Sequence, residues 1–307
     1  MSAIPPPSGV NLPELARRLQ DGARQLEQLF LGKEEITDVE LGDAVHREVT
    51  VVFCDLRGFT GLSERIEVRE VFALLNAVYD RLGPLVREHR GFVDKYIGDA
   101  IMALFPGDPS DAVAAAAAIA EAVGEVILPG TLARTARGER PRLAVGVGIH
   151  RGPVMLGTIG ERERMEATVI ADAVNVASRL EGLSKRLGAT ILLSDEVLRA
   201  LPGGALPGSR ALGRIRLAGK RQSVGVHELY AADPPALRAI KERSAPAFEA
   251  ALAAFQAGEF ASAAARFREL AEAYPEDRAA AVYAESAAAL ALAPPASWDG
   301  ALEIRGK

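Results

Sequence analysis

Between residues 48 and 231 the sequence alternates short β-branched runs with amphipathic stretches, opening in the order strand–helix–strand–strand–helix–strand. That order predicts an α+β fold: a ferredoxin-like βαββαβ sheet with helices on one face. The pattern changes after Asp233-Pro234-Pro235, where alanine-rich stretches with helical spacing predict an all-α tail. The composition agrees with both, since 307 residues at 49% hydrophobic and 25% charged describe an ordinary globular chain of about two domains.

The first ten residues are proline-rich and read as loose. Leu12, Leu15, Leu19, Leu26 and Phe30 fall at helical spacings, with Asn11 placed as an N-cap ahead of Pro13. A polar stretch, 33–48, follows as a linker. Residues 49–54 form an apolar, β-branched run that ends at Asp55 and reads as a buried strand. Residues 64–89 read as a helix, and 92–105 as two strands folded about Gly98-Asp99. Residues 112–126 read as a helix capped by Ser110 or Asp111. Strands are predicted at 143–149, 153–159 and 167–170, with a charged turn at 161–164 between the last two. A helix over 173–187 is ended by Gly188, and short strands follow at 190–193, 214–217 and 224–229.

In the tail, Phe248, Leu252 and Phe255 share one helical face before Gly258. Phe260, Ala264, Phe267, Leu270 and Tyr274 share a second, stopped by Pro275, and a third helix spans 278–292. This resembles one tetratricopeptide-type pair with a capping helix. A single repeat cannot bury its own apolar face, so the tail is expected to dock on the body or on a protein partner. The division is therefore 1–47 (helix and linker), 48–231 (α+β body) and 232–307 (helical tail).

Forty-one acidic against 36 basic residues give a net charge of −5, which argues against nucleic-acid coating or membrane-surface binding. No apolar run reaches the ~20 residues that span a bilayer, and no signal-peptide pattern opens the chain. The single cysteine, Cys54, allows no internal disulfide and reads as inert core; a reducing, cytoplasmic setting is expected. The histidines, His46, His89, His150 and His227, lack metal-ligand spacing. Trp298 reads as a packing anchor for the tail.

Two carboxylates carry the chemistry. Asp55 ends an apolar strand and begins the loop Leu56-Arg57-Gly58-Phe59-Thr60; Asp99 sits in the turn of Lys95-Tyr96-Ile97-Gly98-Asp99. Adjacent strands bring the two together, and like charges so close repel unless cations lie between them. Hard divalent ions such as Mg²⁺ or Mn²⁺ want such oxygen ligands together with substrate phosphates. The plainer alternative is that Asp55 caps a helix and Asp99 is a turn residue. The loop at Gly58, Phe59 and Thr60 aims backbone amides at a helix start, a geometry that cradles phosphate.

Residues 51–60 and 95–99 resemble the two metal motifs of the class III nucleotidyl (adenylate/guanylate) cyclases. The run Thr168-Val169-Ile170-Ala171-Asp172-Ala173-Val174-Asn175-Val176-Ala177-Ser178-Arg179 is similar to the segment holding that family's ribose-positioning Asn and catalytic Arg. The resemblance covers residues 48–231. It implies that Asp55, Asp99 and the Leu56 carbonyl hold two Mg²⁺ or Mn²⁺ ions, one activating the ribose 3′-hydroxyl and one holding the β- and γ-phosphates. It implies that Asn175 orients the ribose and that Arg179 neutralises charge at the α-phosphoryl group. Lys95 and Thr168 would read the base, and a donor-only lysine with a hydroxyl acceptor suits adenine. The Thr at 168 resembles a bacterial, bicarbonate-related adenylate cyclase subgroup. The family builds each site from two subunits, so a chain carrying both residue sets implies a homodimer acting on ATP. The turn at 161–164 resembles its dimerisation arm.

Three positions depart from the family pattern. Ala171 replaces a frequent Gly, and Gly146 stands where many members place a basic residue. Ala218 takes the first place of a Lys-Gly-Lys stretch, leaving Lys220 or Arg221 to meet the triphosphate. The reading that follows is an adenylate cyclase producing cyclic AMP and pyrophosphate. The alternatives are a guanylate cyclase, or a cyclase-like regulatory or adaptor module with little turnover.

Overall fold

The computed structural model describes residues 44–126, 143–161, 164–220 and 222–304. The expected N-terminal helix, most of the 33–48 linker and Arg221 lie outside the described residues. The described chain forms two compact units, one containing 153–171 and a larger one containing 48–152 and 172 onward.

In the larger unit, β1 (Ala44–Leu56, entering from the smaller unit) leads to α1 (Phe59–Ser63) and α2 (Val68–Glu88). The hairpin β2 (Phe92–Ile97) and β3 (Ala100–Phe105) follows, then α3 (Pro109–Gly124) and β4 (Val145–Glu161). The strand order β2-β3-β1-β4 is that of the expected ferredoxin-like core. Helix α4 (Asp172–Leu187) and strand β6 (Ile191–Ser194) come next, then α5 (Asp195–Ala200), β7 (Ser209–Arg216) and β8 (Val224–Leu229). They extend the sheet as β4-β6-β8-β7, with β6 parallel to β4. The smaller unit contains an antiparallel ladder between the far half of β4 and β5 (Arg164–Ile170), running from Met155↔Ile170 to Glu161↔Arg164.

Alternation along the strands decides which face each residue serves. Val52, Cys54 and Leu56 of β1, with Val145, Val147 and Ile149 of β4, face a core filled by Leu74, Val78 and Leu82 of α2 and Ile119 of α3. Helices α2 and α3 thus cover one face, as the opening order predicts. Helix α4 lies on the other face, where Val176, Leu180, Leu183 and Leu187 pack with Leu192, Ile215 and Val226. The glycines of β4 explain how closely it approaches. A Cβ at Gly148 would stand 2.2 Å from the Ala177 carbonyl oxygen and 2.3 Å from the Glu181 nitrogen.

Several boundaries differ from the sequence reading. The strand containing 49–54 begins at Ala44, inside the expected linker. The 64–89 helix begins later, at Val68, where Glu67 and Glu70 form a capping box, and a separate single turn, α1, precedes it. Asp108, rather than Ser110 or Asp111, caps α3: its carboxylate accepts from the Ser110 amide at 2.8 Å, with Pro109 in the first turn. The predicted strands 143–149 and 153–159 are one continuous strand, β4, through Pro153. Helix α5 falls in a stretch given no element.

The tail comprises α6 (Pro235–Gln256), α7 (Phe260–Ala273), α8 (Arg278–Leu292) and a short strand β9 (Ala301–Glu303). Its apolar faces are covered by the body. Phe248, Leu252, Phe255, Phe267 and Tyr283 share one buried cluster with α4, and β9 pairs in parallel with β7 from Arg214↔Ala301 to Arg216↔Glu303. Trp298 packs edge-on against Phe255 and Phe260 and donates its indole N–H to the Phe255 and Gln256 carbonyls at 3.1 Å. Cys54 is buried, and burial pushes its thiol far above the usual range. Among the described residues, no helix is long and apolar enough to cross a membrane.

Candidate active site

Antiparallel pairing of β1 with β3 places Cys54 opposite Ile101. Asp55 lies one step beyond that pair, and Asp99 one step beyond Ala100 in the hairpin turn. The pairing of β1 with β3 therefore brings the two carboxyl groups to the same end of the sheet, close enough for their charges to oppose one another. Burial first, then the Asp55 charge, push the Asp99 carboxyl up to about 6. Gly98 opens the turn with φ 63°, a backbone region in which side chains crowd. Tyr79 of α2 fixes that turn by donating its hydroxyl to the Gly98 carbonyl while packing on the Tyr96 ring, centroids 4.2 Å apart. Sequence reading passed over Tyr79 because it lies on a helix with no motif of its own.

Lys95 owes its position to an irregularity. Val93 pairs with Ala103, but Lys95 pairs with Met102, so the register slips at Asp94. Without that bulge Lys95 would share the α2-facing side with Val93. With it, Lys95 joins the side of Met102 and Phe53, which pair across β3 and β1, and hence of Asp55. Bulges re-aim side chains in this way next to functional sites. The Lys95 ammonium lies 3.3 Å from the Asp94 carboxylate.

Asn175 and Arg179 lie one turn apart on α4, beside its buried stripe. Asn175 is exposed. Arg179 Nη1 is buried without a hydrogen-bond partner among the described residues, and the guanidinium lies 3.5 Å from where a Cβ on Gly219 would be. Lys220 follows that glycine and pairs with the Asp172 carboxylate at the start of α4. The structure therefore gathers Arg179, Asp172 and Lys220 at one corner. Thr168 lies on β5 opposite Gly157. Gly58 takes φ 72° ahead of the single turn of α1, and Phe59 packs on the core beneath it.

Two further residues join the Asp55 side. The Arg57 guanidinium lies 3.7 Å from the Glu181 carboxylate of α4 and donates to the Ser184 hydroxyl. Burial, then the charge of Asp55, push the Glu181 carboxyl up to about 7, while Arg57 pulls it down. A Cβ at Gly146 would stand 2.2 Å from the Arg57 guanidinium, so the glycine that departs from the family pattern is the space this cation fills.

The donor set suits small hard cations: two carboxylates and a backbone carbonyl, all oxygen. Among the described residues no group of three or more His, Cys, Asp or Glu forms a complete cage. Tyr79→Phe removes the bond that anchors the Asp99 turn. It is expected to raise half-saturating Mn²⁺ about 2- to 10-fold, the worth of one hydrogen bond, as read in a metal titration of activity.

Residues 43–230 match the family model of the adenylate and guanylate cyclase catalytic domain. The chain belongs to that family. It is similar to an adenylate cyclase of Anabaena cylindrica, at 39% identity over 202 residues, covering 66% of this chain and 40% of the relative. Adenylate cyclase 1 of Rhizobium meliloti is 32% identical over 188 residues, covering 61% of this chain and 28% of the relative. The chain thus spans less than half the length of these curated relatives. Among solved structures, a bacterial light-regulated adenylyl cyclase shares the fold with a TM-score of 0.56 at 24% identity, covering 73% of this chain and 65% of the other. A guanylyl cyclase gives 0.50 at 28% identity, covering 60% and 92%.

Proposed function

We propose that the protein is an adenylate cyclase, converting ATP to 3′,5′-cyclic AMP and pyrophosphate at two equivalent sites shared across a homodimer. The observation that carries this reading is the Asp55–Asp99 carboxyl pair, two acids that the pairing of β1 with β3 brings to the same end of the sheet in a chain of the cyclase family. Asp55, Asp99 and the Leu56 carbonyl hold two Mg²⁺ or Mn²⁺ ions, which when bound supply Lewis-acid activation of the ribose 3′-hydroxyl and charge for the leaving pyrophosphate. Arg179, whose Nη1 has no hydrogen-bond partner among the described residues, neutralises charge on the α-phosphoryl group. Asn175 orients the ribose. The amides at Gly58, Phe59 and Thr60 receive phosphate oxygens, and Lys220 exchanges Asp172 for the triphosphate. Lys95 donates to adenine N1, and Thr168 accepts from the 6-amino group.

In this reading 48–231 is the catalytic body, matched by the family over nearly the same span. Residues 1–47 set dimer geometry, and 232–307 form a tetratricopeptide-like tail. Thr168 supports placing the protein in the bicarbonate-related subgroup, and the setting proposed is cytoplasmic. The likeness to a guanylyl cyclase favours GTP as the second reading. Assaying both nucleotides side by side with Mn²⁺ decides between them. Turnover of ATP at least ~10-fold faster than of GTP is expected, because a mismatched donor–acceptor edge leaves buried polar groups unpaired. Equal or reversed rates exclude adenine selection by Lys95 and Thr168. No cyclic nucleotide from either substrate leaves the adaptor reading.

A further inference from the structure

The side chain of Arg57 is engaged within its own chain. It runs back across the sheet to helix α4. There Nη1 lies 3.7 Å from the Glu181 carboxylate, and Nη2 donates to the Ser184 hydroxyl and, at 3.4 Å, to the Ala189 carbonyl. Its backbone N–H donates to the Ala144 carbonyl at 2.8 Å. Gly146 makes room for the guanidinium, and Gly148 lets the α4 backbone press on β4 at the same level. One side chain, two residues past Asp55, thus grips the helix that carries Asn175 and Arg179, six and two residues before Glu181.

We propose that Arg57 is a positioning residue that ties the Asp55 loop to helix α4 of the same chain, so that the two move as one body. This rests on the shared-site reading above. In that reading the Asp55 loop of a chain serves one site and its α4 serves the other. The Arg57–Glu181–Ser184 clamp therefore couples the two sites of the dimer. Ordering of the metal loop at one site transmits to the Arg179 helix of its twin through a fixed contact rather than through the dimer interface alone.

Mixed dimers test this. One tagged chain carries Asp55→Ala and the other Arg179→Ala. Neither homodimer is active, and the mixture rebuilds one intact site from the second chain's metal loop and the first chain's α4. Arg57→Met is then added to the Asp55→Ala chain, whose metal loop serves only the dead site. The coupling requires the live site's kcat to fall about tenfold, with half-saturating Mn²⁺ held within about twofold because its own metal loop is intact. Glu181→Gln in the same chain, which preserves size and fold, should lower kcat in the same direction by less. Arg57→Lys, which reaches Glu181 alone, should restore part of the loss. Unchanged kcat with Arg57→Met and with Glu181→Gln overturns the coupling. A mixture that recovers no activity overturns the shared-site reading itself, and the coupling with it.

Discussion

Asp99→Asn is expected to abolish cyclase activity and at the same time make the metal-free protein more stable. The carboxyl is ordinarily at 3.8 and is pushed to about 6, by burial first and by Asp55 second. The folded state therefore holds a proton in a range where the unfolded chain has lost it. Stability falls as pH rises from 3.8 toward 6, and the penalty is complete above that window. Because the proton belongs to the pair, replacing either acid relieves the repulsion. Thermal melts in EDTA should show Asp99→Asn melting above the wild type at pH 8, with the gap closing as pH approaches 4. Activity with Mn²⁺ should fall by at least the factor of about 10²–10³ that follows loss of one electrostatic stabiliser, which Arg179→Ala is also expected to show. Gain of stability with loss of activity is the mark of a strained functional pair. If Asp99→Asn melts lower than the wild type at pH 8, the two carboxylates do not oppose one another and the metal assignment loses its physical basis.

Much of this was legible in the chain itself. β-Branched runs ending in Asp55 and the Gly98-Asp99 turn announced both the central strands and the carboxylate pair, because strand periodicity and turn chemistry are local signals. The placement of Lys95 was not legible. Strict alternation puts it with Val93 on the α2 side, and only the slip at Asp94 turns it toward Asp55. Tyr79 and Glu181 escaped for a related reason: each acts on a segment far along the chain, Gly98 and Arg57, that no periodicity connects to it. Gly146 reads as a missing cation until Arg57 is seen to fill its space. In the tail, helical spacing gave all three helices. β9 is only three residues long, and its pairing with β7 depends on where Trp298 anchors the chain after α8.

The largest stability effect is expected at Arg210, far from the carboxylate pair. Arg210 on β7 makes a bidentate pair with Asp277, which precedes α8, at 2.6 and 2.7 Å, and donates Nε to Glu228 of β8 at 2.9 Å. Its guanidinium also lies 4.3 Å over the Phe248 ring of α6. Lys241 of α6 completes the group by pairing with Glu228 and with Asp233, the latter at 2.6 Å, and the Thr190 hydroxyl donates to Asp233 at 2.6 Å. All five charged residues are buried, two cations against three carboxylates. Burial holds the Glu228 carboxyl above its ordinary value despite both cations. Removing one cation leaves Asp277 and Glu228 with no water to replace it. Arg210→Met should therefore cost about 3–5 kcal/mol, and at roughly 2–4 °C per kcal/mol lower the melting temperature by about 10 °C. Arg210→Met with Asp277→Asn should recover part of the loss, since the stranded charge goes with its partner. The same variant should also lower activity in proportion to unfolding, because α8 and α6 share one buried cluster with Val176, Leu180 and Leu183 of α4. That packing sets the direction in which Asn175 and Arg179 project. A melting temperature unchanged by Arg210→Met would mean that the tail holds to the body by its apolar contacts alone.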